Sequence, residues 1–284
     1  MRSIITKKSD TISSDLLLGA GGRLGQMLCR FWPQPELLCT QSRQYRAGAL
    51  RFDPLAAPDV LAAAAADMRS VICLSGVTPA HAAASGDSMS LNTTLALAAV
   101  AAAPLSARVF VVSSAAVYGA CAGPNNEADS VTPVSAYGEA KLAMERATLA
   151  LGRGRVCVLR IGNVAGADAI LGGWRAGMTL DQLPDGRTPR RSYIGPQTLA
   201  RVIHALCGVP KLPPILNIAA PGVIGMGDLL DQAGLPWTPR TPIGPVIEEV
   251  ALHTAALERF FTFTSQESTA QGMVAQWKQG QPQA

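Results

Sequence analysis

Seven short apolar runs recur along the chain, and stretches of helical composition separate most of them. The runs are Asp15 to Leu18, Glu36 to Thr40, Ala49 to Phe52, Ser70 to Leu74, Arg108 to Ser114, Arg155 to Arg160 and Ile215 to Ile218. The strongest is Arg108-Val109-Phe110-Val111-Val112-Ser113-Ser114. A strand with one wet face alternates polar and apolar residues, whereas runs apolar throughout belong to a sheet covered on both faces. Strands that alternate with helices pair in parallel. The pattern predicts an α/β fold of the Rossmann type, a doubly wound parallel sheet. The intervening helices are expected over Arg23 to Trp32, Asp59 to Met68, Met89 to Ala103 and Tyr137 to Leu151, with later ones over Gln197 to Cys207 and Met226 to Ala233. After Gly162 the glycine, proline and arginine content rises and regular periodicity becomes intermittent, which predicts a smaller, loop-rich C-terminal part.

With 284 residues, 48% of them hydrophobic and 15% charged, the chain can bury a substantial core. A formal charge of +4 without a polybasic run argues against a nucleic-acid partner and for a small molecule. The six cysteines form no C-x-x-C pair and the histidines (His81, His204, His253) do not cluster, so neither a metal site nor a disulfide framework is indicated. The alanine-rich segments are cut by Asp67, Arg69 and Pro104, so none approaches the ~20 apolar residues of a membrane span. Residues 1–14 read as an N-terminal extension with no apolar signal core, and a reducing cytoplasm is the expected location.

The first apolar run ends in Gly19-Ala20-Gly21-Gly22-Arg23-Leu24-Gly25. Glycines between a strand and a helix permit a tight turn and a close backbone approach to pyrophosphate, on which the helix amides are then aimed. This predicts a dinucleotide-binding domain over residues 15–161, with residues 162–284 as a substrate-binding region interleaved with it. NAD-binding versions of this arrangement carry an acid at the end of the second strand, where this chain has Thr40-Gln41-Ser42-Arg43. Ser42 and Arg43 suit a 2′-phosphate, which favours NADP while leaving NAD possible; the alternative for Arg43 is a solvated loop arginine.

Tyr137 and Lys141 lie four residues apart, on one face of a helix. A phenol is a poor base near neutral pH unless a cation favours the phenolate, and Lys141 is the candidate cation. Ser114 closes the strong strand and would hold a substrate oxygen while Tyr137 moves its proton, with Ser113 as the nearest competitor.

Together these residues resemble the extended short-chain dehydrogenase/reductase family, in particular its NAD-dependent epimerase/dehydratase group. The resemblance rests on Gly19-x-x-Gly22-x-x-Gly25, Asp53, Leu74-Ser75-Gly76 and Asn92. It continues with Ser113-Ser114-Ala115-Ala116-Val117-Tyr118-Gly119, Tyr137-x-x-x-Lys141 and Arg160-Ile161-Gly162-Asn163-Val164-Ala165-Gly166. It implies that Asp53 contacts the adenine and that Leu74, Ser75 and Gly76 line the cofactor. Arg23, Leu24 and Asn92 are further cofactor contacts on this reading. Ser114, Tyr137 and Lys141 would be the catalytic set, Lys141 also binding the nicotinamide ribose, and Asn163 would contact substrate. Asp53 before Pro54 could instead shape a turn, and Asn163 could cap a loop.

Two departures are visible. Related 4,6-dehydratases carry an acidic pair where this chain has Ala115 and Ala116, which makes that dehydration an unfavoured outcome. In Arg190-Arg191-Ser192-Tyr193-Ile194, Ser192 replaces an acid, while Arg191 stays available for an anionic substrate or as a solvated charge. Trp174 and Arg175 are unassigned neighbours of the substrate region. The expectation is an NAD(P)-dependent oxidoreductase or epimerase of a secondary alcohol or ketone, such as a sugar or nucleotide sugar. The alternatives are a reductase of a non-sugar carbonyl and a non-catalytic NADP sensor. The helix from Met89 and the Tyr137 helix resemble the pair that joins family homodimers.

Overall fold

The computed structural model describes residues 14–121 and 123–281. The expected N-terminal extension therefore lies outside the described residues apart from Ser14, which opens the first strand. Six strands of the main sheet come in chain order: β1 (Ser14–Leu18), β2 (Leu38–Ser42), β3 (Leu50–Arg51), β4 (Met68–Cys73), β5 (Arg108–Ser114) and β6 (Val156–Ile161). Across the sheet they run β6-β5-β4-β1-β2-β3, and the later strand Ile215–Ile218 pairs with β6 at the far edge; every pairing is parallel. The order reverses at β1, which is flanked by β2 and β4, so a crevice opens at the carboxyl ends of these strands.

The apolar runs are explained by two-sided burial. Successive strand residues point to opposite faces. Leu17, Ile72, Phe110 and Leu159 meet α1 (Arg23–Phe31) on one face. On the other, Leu16, Leu18, Val71, Val109 and Val158 meet α2 (Pro58–Ala65). A short α3 (Pro79–Ser85), capped by the Thr78 hydroxyl, follows β4. The second face is completed by α4 (Leu91–Ala102) and α5 (Ala136–Leu151), and the first by α6 (Pro196–Cys207).

Several bounds differ from the expected ones. Pro35–Leu37 forms a 3-10 turn, so β2 begins at Leu38. β3 shrinks to two exposed residues, as befits an uncovered edge. The helix expected up to Met68 ends at Ala65 because Met68 already pairs with Ser14 in the sheet. Past β6, short ladders join Asn163–Val164 to Tyr193–Ile194 and Arg190–Arg191 to Ile224–Gly225 and Glu249–Val250. A separate core forms there, in which Leu171 and Tyr193 pack with Leu229 of α7 (Met226–Ala233) and Met273 of the C-terminal helix Ala270–Gln279. Among the described residues no helix is long and apolar enough to cross a membrane.

Candidate active site

The glycine turn sits at the head of the crevice. Gly19 has φ +89°, and Gly25 packs so tightly beneath it that a Cβ would lie 2.3 Å from the Gly19 carbonyl oxygen. The first turn of α1 is thereby pinned under the loop, with its unpartnered amides at the crevice mouth. The cleft beyond has a volume of about 530 Å³. Of the residues expected to hold the cofactor, Gly19 and Gly22 form one wall, Ser42 and Arg43 a second, and Leu74, Ser75 and Gly76 a third.

Arg23, Leu24, Gly25, Asp53 and Asn92, also expected at the cofactor, do not wall this cleft, and neither do Tyr137 and Lys141. Arg23 turns outward and donates to the Ala167 carbonyl at 3.4 Å. Leu24 packs on the core around Leu17, and Gly25 is buried under the turn. Asp53 does shape a turn, its Oδ1 accepting from the amides of Leu55 (2.8 Å) and Ala56 (3.4 Å), while its other oxygen lies 3.9 Å from Arg43. Asn92 is fully buried, and all its amide bonds go to backbone: Oδ1 accepts from Val77 N, and Nδ2 donates to the carbonyls of Val77 and Met89. It therefore shapes the loop that follows Gly76.

Gln41, His81 and Asp87 are among the wall residues to which the sequence alone assigns no role. The Gln41 carboxamide accepts from the Gly19 amide at 3.1 Å and donates to the Phe52 carbonyl at 2.5 Å, tying the glycine turn to β2 and β3. His81 does not stand alone: its Nε2 lies 2.8 Å from Asp87 Oδ2, and both line the cleft opposite Arg43. That bond is the main reason the Asp87 carboxyl is held below its ordinary range. His204 meets Gln34 and the edge of Trp32, a packing role.

The catalytic candidates converge at the end of β5. Ser114 caps the 3-10 turn Ala115–Tyr118, its Oγ accepting from Ala116 N at 3.2 Å. Ser135 caps α5 through the Gly138 amide at 3.1 Å. Gly138 lets that end of the helix approach the turn: a Cβ there would lie 2.6 Å from the Ala116 carbonyl oxygen. The half-buried Tyr137 is thus held beside Ser114. Its phenol is raised above the ordinary value by burial, with the Ser114 hydroxyl acting in the opposite direction. The expected lowering by Lys141 is not found. The Lys141 ammonium instead lies 5.7 Å from the centre of the Tyr137 ring and donates to the Val112 carbonyl at 2.9 Å. It is close to the cleft, 3.6 Å from where a Cβ on Gly76 would be.

Ser113 is not free to compete with Ser114. Its hydroxyl is buried and donates to Glu145 Oε1 at 2.5 Å. Glu145, one turn after Lys141, also takes the Arg160 guanidinium in a fork at 2.8 to 3.2 Å. Arg160 continues to Tyr118 Oη at 3.0 Å, and that hydroxyl donates to Asn217 Oδ1 at 2.8 Å. A buried polar chain thus runs from β5 to the edge strand behind the catalytic candidates.

Lys141 carries its charge at 6% exposure with one carbonyl partner, and burial pushes its pKa from 10.5 down to about 8. Between those values the unfolded chain binds more protons than the folded one, so this group makes stability rise with pH from about 8 toward 10.5. Below that window the buried charge costs on the order of 3 kcal/mol. Lys141→Met is therefore expected to raise the thermal midpoint of the cofactor-free protein by roughly 5 °C at pH 7, with the difference shrinking above pH 8. Thermal melts across pH check both the size and the trend.

In the second part of the molecule, β-pairing sets Asn163 opposite Tyr193. The Tyr193 hydroxyl donates to Asp168 at 2.9 Å, the Asn163 amide stands beside it, and the Arg191 guanidinium is near enough to act on it electrostatically. Asn163 and Arg191 are so brought together. Ser192 is occupied structurally, accepting from Leu252 N and donating to the Gly222 carbonyl.

A family model described as the NAD dependent epimerase/dehydratase family matches residues 16–180. The chain belongs to that family. A nicotinamide dinucleotide is thus its cofactor, and the crevice suits one, with glycine backbone and helix amides at its head and polar lips on either side. No curated protein matches this epimerase/dehydratase member in sequence. Among solved structures it is similar to TunA, an NAD-dependent NDP-hexosamine 5,6-dehydratase of tunicamycin biosynthesis. That pair shares 17% identity over 95% of this chain and 99% of the other, with a TM-score of 0.75. It is similar also to MoeE5 in complex with UDP-glucose and NAD (20% identity, 94% and 99% covered, TM-score 0.72). A third is RMD from Pseudomonas aeruginosa complexed with NADPH (17%, 94% and 99%, TM-score 0.70). At these identities the likeness establishes the shared Rossmann-type fold.

Proposed function

We propose that this family member is an NADP-dependent oxidoreductase or epimerase acting on a secondary alcohol or ketone of a sugar or nucleotide sugar. The observation that carries the reading is the convergence of Ser114, Tyr137 and Lys141 at the end of β5, beside the glycine-headed cleft. The bound cofactor would accept or donate the hydride. Ser114 would hold the reacting oxygen. Tyr137, kept protonated by burial, would deliver its proton to that oxygen as a carbonyl is reduced and take it back as an alcohol is oxidised. Lys141 spends one donor on Val112 and keeps two for the nicotinamide ribose. Asn163 and Arg191 would meet the substrate. TunA, which shares the fold, is a dehydratase; we set 4,6-dehydration aside here because Ala115 and Ala116 cannot transfer protons.

NADP is preferred over NAD because Ser42 and Arg43 line the cleft where an acid would otherwise receive the ribose hydroxyls. Arg43→Ala is expected to weaken NADPH binding about tenfold and NADH binding by less than about twofold, since one charged fork to a phosphate is lost. Titration of nicotinamide fluorescence with both cofactors measures this. Failure of the unaltered protein to bind either cofactor would remove the whole reading.

A reductase of a non-sugar carbonyl is the second reading. It draws on Arg191, whose Nη1 is committed to the Arg190 carbonyl at 2.7 Å. Turnover assays with nucleotide sugars against simple ketones separate the two. We further propose a homodimer through α4 and α5 and a reducing cytoplasm, where the six free thiols are at home. Light scattering at micromolar concentration should give twice the chain mass; a monomer would count against the dimer.

A further inference from the structure

A second cavity, of about 840 Å³, runs along the outer side of α1. Its floor is the helix itself, where Arg23, Gln26 and Arg30 recur at the spacing that puts residues on one face. Trp174, in the loop after Asn163–Val164, and Trp277 of the C-terminal helix form one flank, and Arg46, between β2 and β3, stands on the other. None of the residues walling this groove also walls the cofactor cleft.

The chemistry of the groove is one-sided. Among the described residues three arginines line it and no carboxylate does. Among the described residues none of the three is in an ion pair, and the one side-chain hydrogen bond they make is the 3.4 Å contact from Arg23 to Ala167. Like charges gathered without a counter-ion repel one another and create a positive potential that draws in a polyanion. Guanidinium forks match phosphate oxygens in pairs. The two indoles add flat apolar surface of the kind on which an aromatic ring stacks. Trp277 is seated firmly, its ring lying against Gly166 so closely that a Cβ there would be 2.0 Å from the indole. The volume falls within the several hundred Å³ usual for small-ligand sites.

We propose that this groove is a second ligand site, taking a nucleoside diphosphate: phosphates on Arg30 and Arg46, base against the tryptophans. It is separate from the cofactor cleft and does not rest on the catalytic reading.

The test is calorimetric titration of UDP into the full chain, with and without saturating NADPH. The unaltered protein is compared with an Arg30→Glu, Arg46→Glu double variant and with Trp277→Ala. UDP should bind the unaltered protein whether or not NADPH is present. The charge-reversed variant should lose at least about tenfold in UDP affinity and Trp277→Ala about fivefold, while NADPH affinity is unchanged in both. Binding of UDP that ignores all three substitutions would place it elsewhere, at Asn163 and Arg191 for example, and overturn the proposal. Inorganic pyrophosphate that binds as tightly as UDP, with no effect of Trp277→Ala, would reduce the groove to a plain anion patch and overturn it equally. The arginines are at least partly exposed, so the double variant should fold even if Trp277→Ala does not. Loss of NADPH binding in the unaltered protein would count against the cofactor assignment alone, because the UDP titration without NADPH still reports on the groove.

Discussion

Glu145→Ala should destabilise the protein by about 3 to 5 kcal/mol, the range found when one partner of a buried ion pair is removed. The reason lies in what would be left behind. Arg160 is 3% exposed and would keep its charge, with the Tyr118 hydroxyl and the Glu127 carbonyl as its remaining partners among the described residues. Ser113 would lose the acceptor it now holds at 2.5 Å. Urea unfolding should show a lower midpoint at an unchanged slope, the sign of lost stability without a change in compactness. The double variant Glu145→Met, Arg160→Met should cost less than the sum of the two single changes, because it removes both charges and leaves neither uncompensated. A single-variant loss below about 1 kcal/mol would mean that water reaches Arg160 and that the buried chain behind the catalytic strand is looser than its geometry indicates.

Tyr137→Phe should lower turnover by about 10² to 10⁴, the usual contribution of a positioned acid or base. The substitution removes one oxygen. The Ser135 cap of α5, the close approach at Gly138 and the Lys141 bond to Val112 do not involve the phenol oxygen and should survive. NADPH affinity should consequently stay within about twofold, since phenylalanine keeps the ring and Lys141 keeps its donors. The drop should appear in kcat and in kcat/KM equally, as expected for a group used only in the transition state. A protein with no turnover to lose, whose response to NADPH is the same before and after this change, would be a sensor and not a catalyst.

The parts of the fold that rest on short-range pattern were legible in the chain. β5 and β6 declare themselves by two-sided apolar runs, and Tyr137 and Lys141 by a spacing that only a helix turns into proximity. Their chemistry was less legible. Lys141 was expected to lower the Tyr137 pKa, but a buried phenol pays a desolvation cost, and the ammonium is held by the Val112 carbonyl on a neighbouring strand. Gln41 gave no signal because its partners, Gly19 and Phe52, are brought to it by two different connections. His81 and Asp87 are six residues apart, yet nothing local announces that α3 turns them together over the cleft. The C-terminal helix escaped because its buried residues, Met273, Val274 and Gln276, are few and mixed in character.

The edge strand Ile215–Ile218 arrives more than fifty residues after the strand beside which it lies. During synthesis a chain released only as far as Ile161 would present the bare flank of β6 to its surroundings, with Arg160 deprived of the Asn217 end of its relay. Cutting the chain after Ile161 would therefore leave an unpaired sheet edge and an incomplete relay. A hybrid that grafts the later half of a relative onto this one must import a matching Asn217, or the seam between the two parents will leave the buried Tyr118 hydroxyl without its acceptor.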